Sequence, residues 1–254
     1  MPKNIIPILL IATAILLVAI GTVFFLSSAP RESEQHPVRD TPQNAIGEQR
    51  GLSSQTSADC EPAAAFTHHF TDLTTIDSII PPVFRNSKGT MPTTLINIRG
   101  KVPLYMPTAG RLTQGSYHNE QGAQFYMWEI DVGCGVTVVF DHVTEPVEKI
   151  RQLFPTSPRN DSRTDLFKTP LAMAAGELIG YTTGSVNAHN WNFAVYDAAE
   201  KNFLWDTGAF NDQPKYYTQV CPLKYYPESM AQAYEKLFLL SLRDLTVEQN
   251  LCQD

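Results

Sequence analysis

The sequence predicts a mainly β protein: an antiparallel β-sandwich with two peripheral helices, preceded by one N-terminal transmembrane helix. Two patterns after residue 100 indicate the sandwich. Short apolar segments recur there at close spacing, several of them alternating apolar with polar residues as antiparallel strands do. Gly, Asn and Pro separate these segments and favour tight turns. The first 27 residues are different, because they contain a long apolar run without charge.

The apolar run extends from Ile5 to Leu26. As an α-helix it would be about 33 Å long, which is enough to cross a hydrocarbon core of ~30 Å. Ser27-Ser28-Ala29 would also suit signal cleavage, but the run exceeds the apolar region of a signal peptide, so we expect an uncleaved anchor. Lys3 before the run and acidic residues after it predict a single-pass protein of the cell membrane with an extracytoplasmic C-terminal domain.

Composition divides the rest of the chain into two parts. Residues 28–62 are rich in Ser, Pro, Gln, Glu and Arg, so they cannot offset the entropy of ordering and are predicted to form a disordered tether. Residues 63–254 are predicted to form one extracytoplasmic β domain with a C-terminal helix. The net charge of −7, without a basic patch, makes nucleic acid an unexpected partner.

The four cysteines are an even number, as expected of disulfides in an oxidising compartment. They are Cys60, Cys134, Cys221 and Cys252. No CxxC pair is present, so a structural zinc knuckle is not expected. Three pairings are possible and the sequence does not choose among them. Cys134 with Cys221 is one hypothesis, since both flank strand-like segments, and some cysteines could also remain free.

The strand predictions begin with an entry segment, Phe66 to Arg99, where Pro81-Pro82 and Gly89 limit the elements to short strands or turns. Gly133-Cys134-Gly135 predicts a hairpin turn between two later strands. The later strands are predicted at Val102 to Met106, Arg111 to Gln114, Gln124 to Asp131, Val136 to Phe140, Leu178 to Thr182, Trp191 to Tyr196 and Asn202 to Trp205.

Two helices are predicted beside these strands. Thr144 can cap a segment whose apolar residues repeat at helical spacing as far as Phe154, where Pro155 ends it. A second helix is predicted to begin near Pro227 and to carry an apolar stripe as far as Leu240.

Several motifs between Val102 and Tyr196 have the order and spacing of a known enzyme domain. They are Leu104-Tyr105-Met106-Pro107-Thr108-Ala109-Gly110, Phe140-Asp141-His142-Val143, Ala175-Gly176-Glu177-Leu178-Ile179-Gly180 and His189-Asn190-Trp191-Asn192-Phe193. Together they resemble the β-sandwich domain of lysostaphin-type (LytM-like) cell-wall endopeptidases, which contain the duplicated hybrid motif. In that family a histidine and an aspartate of an HxxxD motif and the second histidine of an HxH motif hold zinc, and two further histidines assist the attacking water.

The sequence departs from this pattern at most of the positions that matter for zinc. The resemblance implies that His142 occupies the place of one catalytic histidine. At the HxH position the chain has Asn190 and Asn192, and a neutral amide is a poor zinc ligand. The segment directly before Val102, where the family has its HxxxD motif, contains neither ligand. His68 and Asp72 satisfy that spacing too early in the chain, and we interpret the match as chance.

Other histidines could rebuild a metal site. A trio of His118, His142 and His189 is chemically able to hold zinc, because imidazole ligands need no particular sequence order. Each also has a structural interpretation: His118 in an exposed hairpin loop, His189 in a turn, and His142 hydrogen-bonded at a strand end. Trp191, inside the altered motif, is the leading candidate for a binding contact. The candidate binding residues are Trp191, Asn190, Asn192, His189 and His118.

Three functions remain open from the sequence. The first is a membrane-anchored, degenerate LytM-like domain that is non-catalytic, needs no cofactor, and binds cell-envelope glycan or peptide or a partner protein. The second is a zinc-dependent cell-wall endopeptidase with relocated ligands. The third is a structural ectodomain of an envelope complex.

Overall fold

The structure is a computed structural model that describes residues 66–87, 89–242, 245–246 and 249–253, all within one compact unit. The predicted membrane segment, the predicted tether and Cys60 lie outside these residues. Among the described helices, none has the length and apolar character to cross a membrane.

The described residues form mainly antiparallel strands. In chain order the strands are β1 Ile76–Ile80, β2 Phe84–Asn86, β3 Gly89–Met91, β4 Leu95–Ile98, β5 Val102–Tyr105, β6 Gly110–Glu120, β7 Ala123–Gly133, β8 Val136–Val143, β9 Glu145–Pro146, β10 Asp165–Met173, β11 Leu178–Thr182, β12 Asn190–Asp197, β13 Gln219–Val220, β14 Ser241–Leu242 and β15 Leu245–Thr246. The helices are α1 Glu148–Arg151 and α2 Glu228–Glu235, with 3-10 turns at Leu73–Thr75, Phe203–Thr207 and Pro214–Thr218.

These strands make three antiparallel sheets. The largest has the order β1-β4-β12-β8-β7-β6-β10, with β13 paired to β12. A second sheet has the order β5-β11-β9, and a third has the order β14-β15-β2-β3. The prediction of a mainly β, antiparallel fold with two helices is therefore confirmed.

The main core combines side chains of the largest sheet with side chains of the second sheet, β5-β11-β9. Leu104 and Ile179 from the second sheet are fully buried together with Trp128, Phe140 and Trp191 from the largest sheet. Burying each such side chain contributes roughly 1.5–3 kcal/mol relative to leaving it in water. One face of the largest sheet therefore packs in the main core, and its opposite face is available for other contacts.

Strand β12 shows how the sheet separates these two faces. Trp191 and Phe193 are fully buried in the main core. Tyr196 packs instead in a separate small cluster with Val139, and Asn192 lies on the same side as Tyr196 because side chains two residues apart in a strand share a face. This second face of the sheet carries the candidate site.

Three predicted elements differ in the structure, and one of them is the second predicted helix, which ends at Glu235 instead of continuing to Leu240. Residues Asn202 to Trp205 do not form a strand, because the Asn202 side chain accepts a hydrogen bond from the Leu204 N–H at 3.0 Å and caps a 3-10 turn. The first predicted helix is short, because the chain at Glu145–Pro146 pairs with β11 before α1 begins. Strand β10 was not predicted.

The hairpin of β6 and β7 is longer than the predicted strands. Residues Gly115 to Asn119 pair with β7 rather than forming a turn, so His118 lies opposite Phe125 inside the sheet. The hairpin turns instead at Gln121 and Gly122, both of which have positive φ angles. The predicted position of His118 in an exposed loop is therefore wrong.

The disulfide hypothesis is also corrected. Cys221 forms a disulfide with Cys252, 31 residues further along the chain. Cys134 is disulfide-bonded as well. The hypothesised pairing of Cys134 with Cys221 is therefore wrong, because a local strand pattern carries no information about which distant cysteine a chain end approaches.

Candidate functional site

A cleft of about 380 Å³ with both apolar and polar lining residues lies on the second face of the largest sheet. Asp141 at the end of β8 and Asn192 of β12 face each other across the strand pair and line this cleft. Glu129 of β7 and Tyr196 of β12 extend it, and the 3-10 turn Pro214–Thr218 places Lys215 at its side. The cleft therefore combines carboxylate, amide, phenol and ammonium groups.

His142 lies beside this cleft in an uncommon backbone conformation. Its φ angle is +61°, which non-glycine residues seldom adopt, and its N–H donates to Asp141 Oδ1 at 2.7 Å. The imidazole is held between two carboxylates, with Nε2 3.3 Å from Glu120 Oε2 and Nδ1 3.4 Å from Asp141 Oδ2. Both ring nitrogens therefore face acidic oxygens.

These carboxylates set the protonation of His142. Burial alone would lower the pKa of the imidazole, but the close carboxylates of Asp141 and Glu120 outweigh burial and raise that pKa. In return, the interaction with His142 lowers the pKa of Asp141 although burial opposes this shift. The site accordingly favours an imidazolium between two carboxylates.

We predict that Glu120→Gln lowers the pKa of His142, because it removes one of the two carboxylates that favour the imidazolium. In the wild-type protein the folded pKa lies above the unfolded value of about 6.5, so the stability from protonated His142 is fully present below that value and is lost as the pH rises through the folded pKa. The His142 ring proton, followed by NMR across a pH titration, measures the shift directly.

Glu145→Gln is the matched control, since Glu145 is paired with Lys101. It should leave the His142 titration unchanged. An unaltered His142 pKa in Glu120→Gln would show that Glu120 does not act on the imidazole in solution.

His118 lies close enough to His142 for their charges to interact, but it has a different environment. It is 2% exposed, and its Nδ1 is 3.1 Å from Ser116 Oγ. Burial is the main cause that lowers the pKa of its imidazole, and the nearby charge of His142 lowers it further. His118 is therefore a buried histidine whose environment disfavours the imidazolium, although the charge of Asp141 opposes this shift.

His189 has a different environment from these two histidines. It is exposed, has a φ angle of +50°, and its N–H donates to the Ser185 carbonyl at 3.0 Å, as a turn residue does. Within the described part of the chain, no group of three or more His, Cys, Asp or Glu residues is arranged to hold a metal ion.

The side chains present do not fit the zinc site that the resemblance implies. Both nitrogens of His142 face carboxylates, and Nδ1 of His118 is engaged with Ser116. Asn192, at the position of a zinc-binding histidine, offers only an amide. No zinc-dependent step is derived for this arrangement.

The altered HxH motif separates into residues with different surroundings. Trp191 is fully buried and stacks on Phe140 with ring centroids 6.0 Å apart, so it packs as a core residue, and its role as a binding contact stays a prediction. Asn190 Oδ1 accepts a hydrogen bond from Ser185 Oγ at 2.8 Å. Asn192 Oδ1 is buried without a hydrogen-bond partner in the described protein. Only Asn192 reaches the cleft.

The early HxxxD match has a structural explanation. Asp72 Oδ1 accepts hydrogen bonds from the backbone N–H of Thr74 at 2.9 Å and from its hydroxyl at 2.8 Å, which caps the first 3-10 turn. His68 contacts the hydroxyl of its neighbour Thr67 through Nδ1 at 2.9 Å. Both side chains therefore make local contacts with neighbouring residues of the chain.

Sequence reasoning missed three residues of this region: Glu120, Glu129 and Lys215. Glu129 had a detectable signal, since it lies between the apolar residues Trp128 and Ile130 in a predicted strand and so faces away from the core. Glu120 and Lys215 reach the site only through the hairpin length and the 3-10 turn.

The comparisons with known proteins are few. No family model matches this sequence, and no curated protein matches it. A structure of Csd3 from Helicobacter pylori is similar to this chain, with a TM-score of 0.34 and 14% sequence identity. The match covers 65% of this chain and 38% of the Csd3 chain, so this chain corresponds to well under half of that protein.

Proposed function

We propose that this chain is a membrane-anchored, extracytoplasmic, degenerate LytM-like domain of the duplicated-hybrid-motif type. It binds a glycan or peptide of the cell envelope through the cleft beside Asp141 and Asn192, and it does not carry out zinc-dependent hydrolysis. The motif spacing from Val102 to Phe193 supports the family, and the apolar segment Ile5 to Leu26 supports the anchor.

The observation that carries the binding function is the carboxamide of Asn192. Its oxygen is buried in the wall of the cleft, and no group of the described residues forms a hydrogen bond with it. An unpaired buried acceptor costs about 1–3 kcal/mol, and a ligand N–H or O–H removes this cost once the half-buried side chain turns its oxygen toward the cleft. The residue that stands where the resemblance places a zinc ligand is therefore suited to accept a hydrogen bond.

The size and chemistry of the cleft agree with this role. Its volume of about 380 Å³ lies within the range of small-ligand sites, which are roughly 300–1,000 Å³. Tyr196 and Tyr216 supply aromatic surface, and Asp141, Asn192 and Lys215 supply polar groups that can orient a ligand. A peptide unit or a sugar ring has the dimensions and hydrogen-bonding groups to fill it.

We predict that the full chain in detergent contains much less than one zinc per molecule after dialysis and sediments with purified cell-wall polymer. Asn192→Ala should weaken this sedimentation by about tenfold, which corresponds to ~1.4 kcal/mol, because the ligand loses its hydrogen-bond acceptor. Metal analysis and a pelleting assay measure the two quantities.

The matched control is Asn160→Ala, since Asn160 is exposed and outside the cleft lining. One zinc per chain that is lost in His142→Ala would contradict this proposal and support the endopeptidase with relocated ligands. Failure to sediment with cell-wall polymer, together with specific capture of an envelope protein, would instead support the structural ectodomain.

A further inference from the structure

The cleft already contains one ammonium group, that of Lys215. Lys215 Nζ lies 2.5 Å from Glu129 Oε1 and 4.5 Å from the centroid of the Tyr196 ring. The Glu129 side chain is 11% exposed, so water stabilises its carboxylate poorly and a nearby cation stabilises it instead. A carboxylate beside an aromatic face is a combination that recognises an ammonium ion.

The surroundings of this subsite are acidic. The charged residues that line the cleft are Glu129, Asp141 and Lys215. Burial is the largest cause that raises the pKa of Tyr196, and the negative charges of Glu129 and Asp141 raise it further. The same pattern holds for Tyr216, where Asp141 and Asp212 add to the effect of burial. Asp141 is already paired with His142, so Glu129 is the carboxylate that an incoming cation would meet in place of Lys215.

Lys215 can leave the subsite without any change of the backbone. Its carbonyl accepts a hydrogen bond from Thr218 Oγ1 at 2.9 Å, so the 3-10 turn is held independently of the ammonium group. Its side chain is 41% exposed and has a flexible four-carbon stem, which gives the ammonium group a direct path to water. An incoming cation can therefore exchange with it.

We infer that the cleft is selective for peptides that carry a free primary ammonium group, and that Lys215 occupies the ammonium subsite in the unliganded protein. This inference rests on the proposed function and narrows its ligand class. The ligand ammonium takes the place of Lys215 Nζ against Glu129 and over the Tyr196 ring. A peptide N–H of the ligand donates to Asn192 Oδ1, and Lys215 turns into solvent.

Calorimetric titration of the full chain in detergent with two blocked tripeptides tests this inference. The probes are N-acetyl-Ala-Lys-Ala-amide and the same peptide with an Nε-acetylated lysine. The wild-type protein should bind the free-amine peptide about tenfold more tightly than the acetylated one. Lys215→Met should tighten binding of the free-amine peptide severalfold, because the internal competitor is gone, and Glu129→Gln should remove the preference between the two peptides.

Lys224→Met is the matched control. Lys224 is a similarly exposed lysine that is paired with Glu200, and neither residue lines the cleft. This variant should bind both peptides as the wild-type protein does, and circular dichroism should show all variants folded. A lysine with only a structural role would give Lys215→Met lower stability without higher affinity.

Three results would overturn the inference. Equal affinity for the two peptides would show that the cleft binds peptides but does not recognise the ammonium group. Binding of neither peptide by any variant, while the chain still sediments with cell-wall polymer, would reject this ligand class but leave the proposed function standing. Loss of both peptide binding and sedimentation would reject both.

Discussion

Replacing Trp191 with alanine is expected to lower the free energy of unfolding by about 3–5 kcal/mol. Trp191 is fully buried, stacks on Phe140 and meets Phe70 edge-on with centroids 5.6 Å apart. Truncation removes the contacts of the whole indole and leaves a cavity in the main core. The denaturant midpoint should therefore fall at an unchanged slope, since the slope reports the surface exposed on unfolding.

Trp205→Ala is the control for this prediction. Trp205 is 49% exposed, and its ring meets Tyr217 and Lys201 near the surface, so the loss should be about 1 kcal/mol or less. Trp191→Phe should recover part of the loss by refilling the cavity. An unchanged unfolding midpoint for Trp191→Ala, together with lost sedimentation with cell-wall polymer, would contradict this prediction and support the predicted role of Trp191 as a binding contact.

Removing the disulfide between Cys221 and Cys252 is expected to lower the free energy of unfolding by about 3–4 kcal/mol. The bond joins residues 31 apart, and closing a loop of that length restricts the unfolded chain by this amount in the chain-entropy account. Thermal or denaturant unfolding of Cys221→Ser/Cys252→Ser against the wild-type protein measures the change.

The double substitution avoids leaving an unpaired thiol and does not alter the bond of Cys134. The C-terminal residues would retain other contacts, including the hydrogen bond from the Leu251 N–H to the Pro82 carbonyl at 2.5 Å. A loss below about 1 kcal/mol would mean that these contacts already restrict the chain end and that the disulfide adds little.

Local patterns predicted the strands of this fold well where packing alternates along the chain. Leu178 to Thr182 is a strand with the predicted bounds, because its apolar residues and flanking turns are local signals. Strand β10 lacks such a signal: Leu166 is 79% exposed, Pro170 interrupts the sequence, and the pairing with β6 shifts between Leu166 and Leu171. Its position depends on the neighbouring strand rather than on its own residues.

The candidate site was less predictable, for a related reason. His142 could be located from its motif, since a strand end is a local feature. Its partner Glu120 depends on how far the β6 and β7 hairpin extends, and the contact of Lys215 with Glu129 joins residues 86 apart. His118 was misplaced because Gly115 and Asn119 favour a turn, whereas pairing with β7 keeps that segment extended.

The alternation of Trp191 and Asn192 along β12 has a consequence for how this protein can change. Adjacent residues belong to opposite faces, so a substitution at Asn192 alters the cleft without changing the volume of the core. Ligand preference and fold stability can therefore diverge independently, one residue apart. In such a sheet, substitutions can change the functional groups on one face while the packing on the other face, which maintains the shape of the sheet, stays the same.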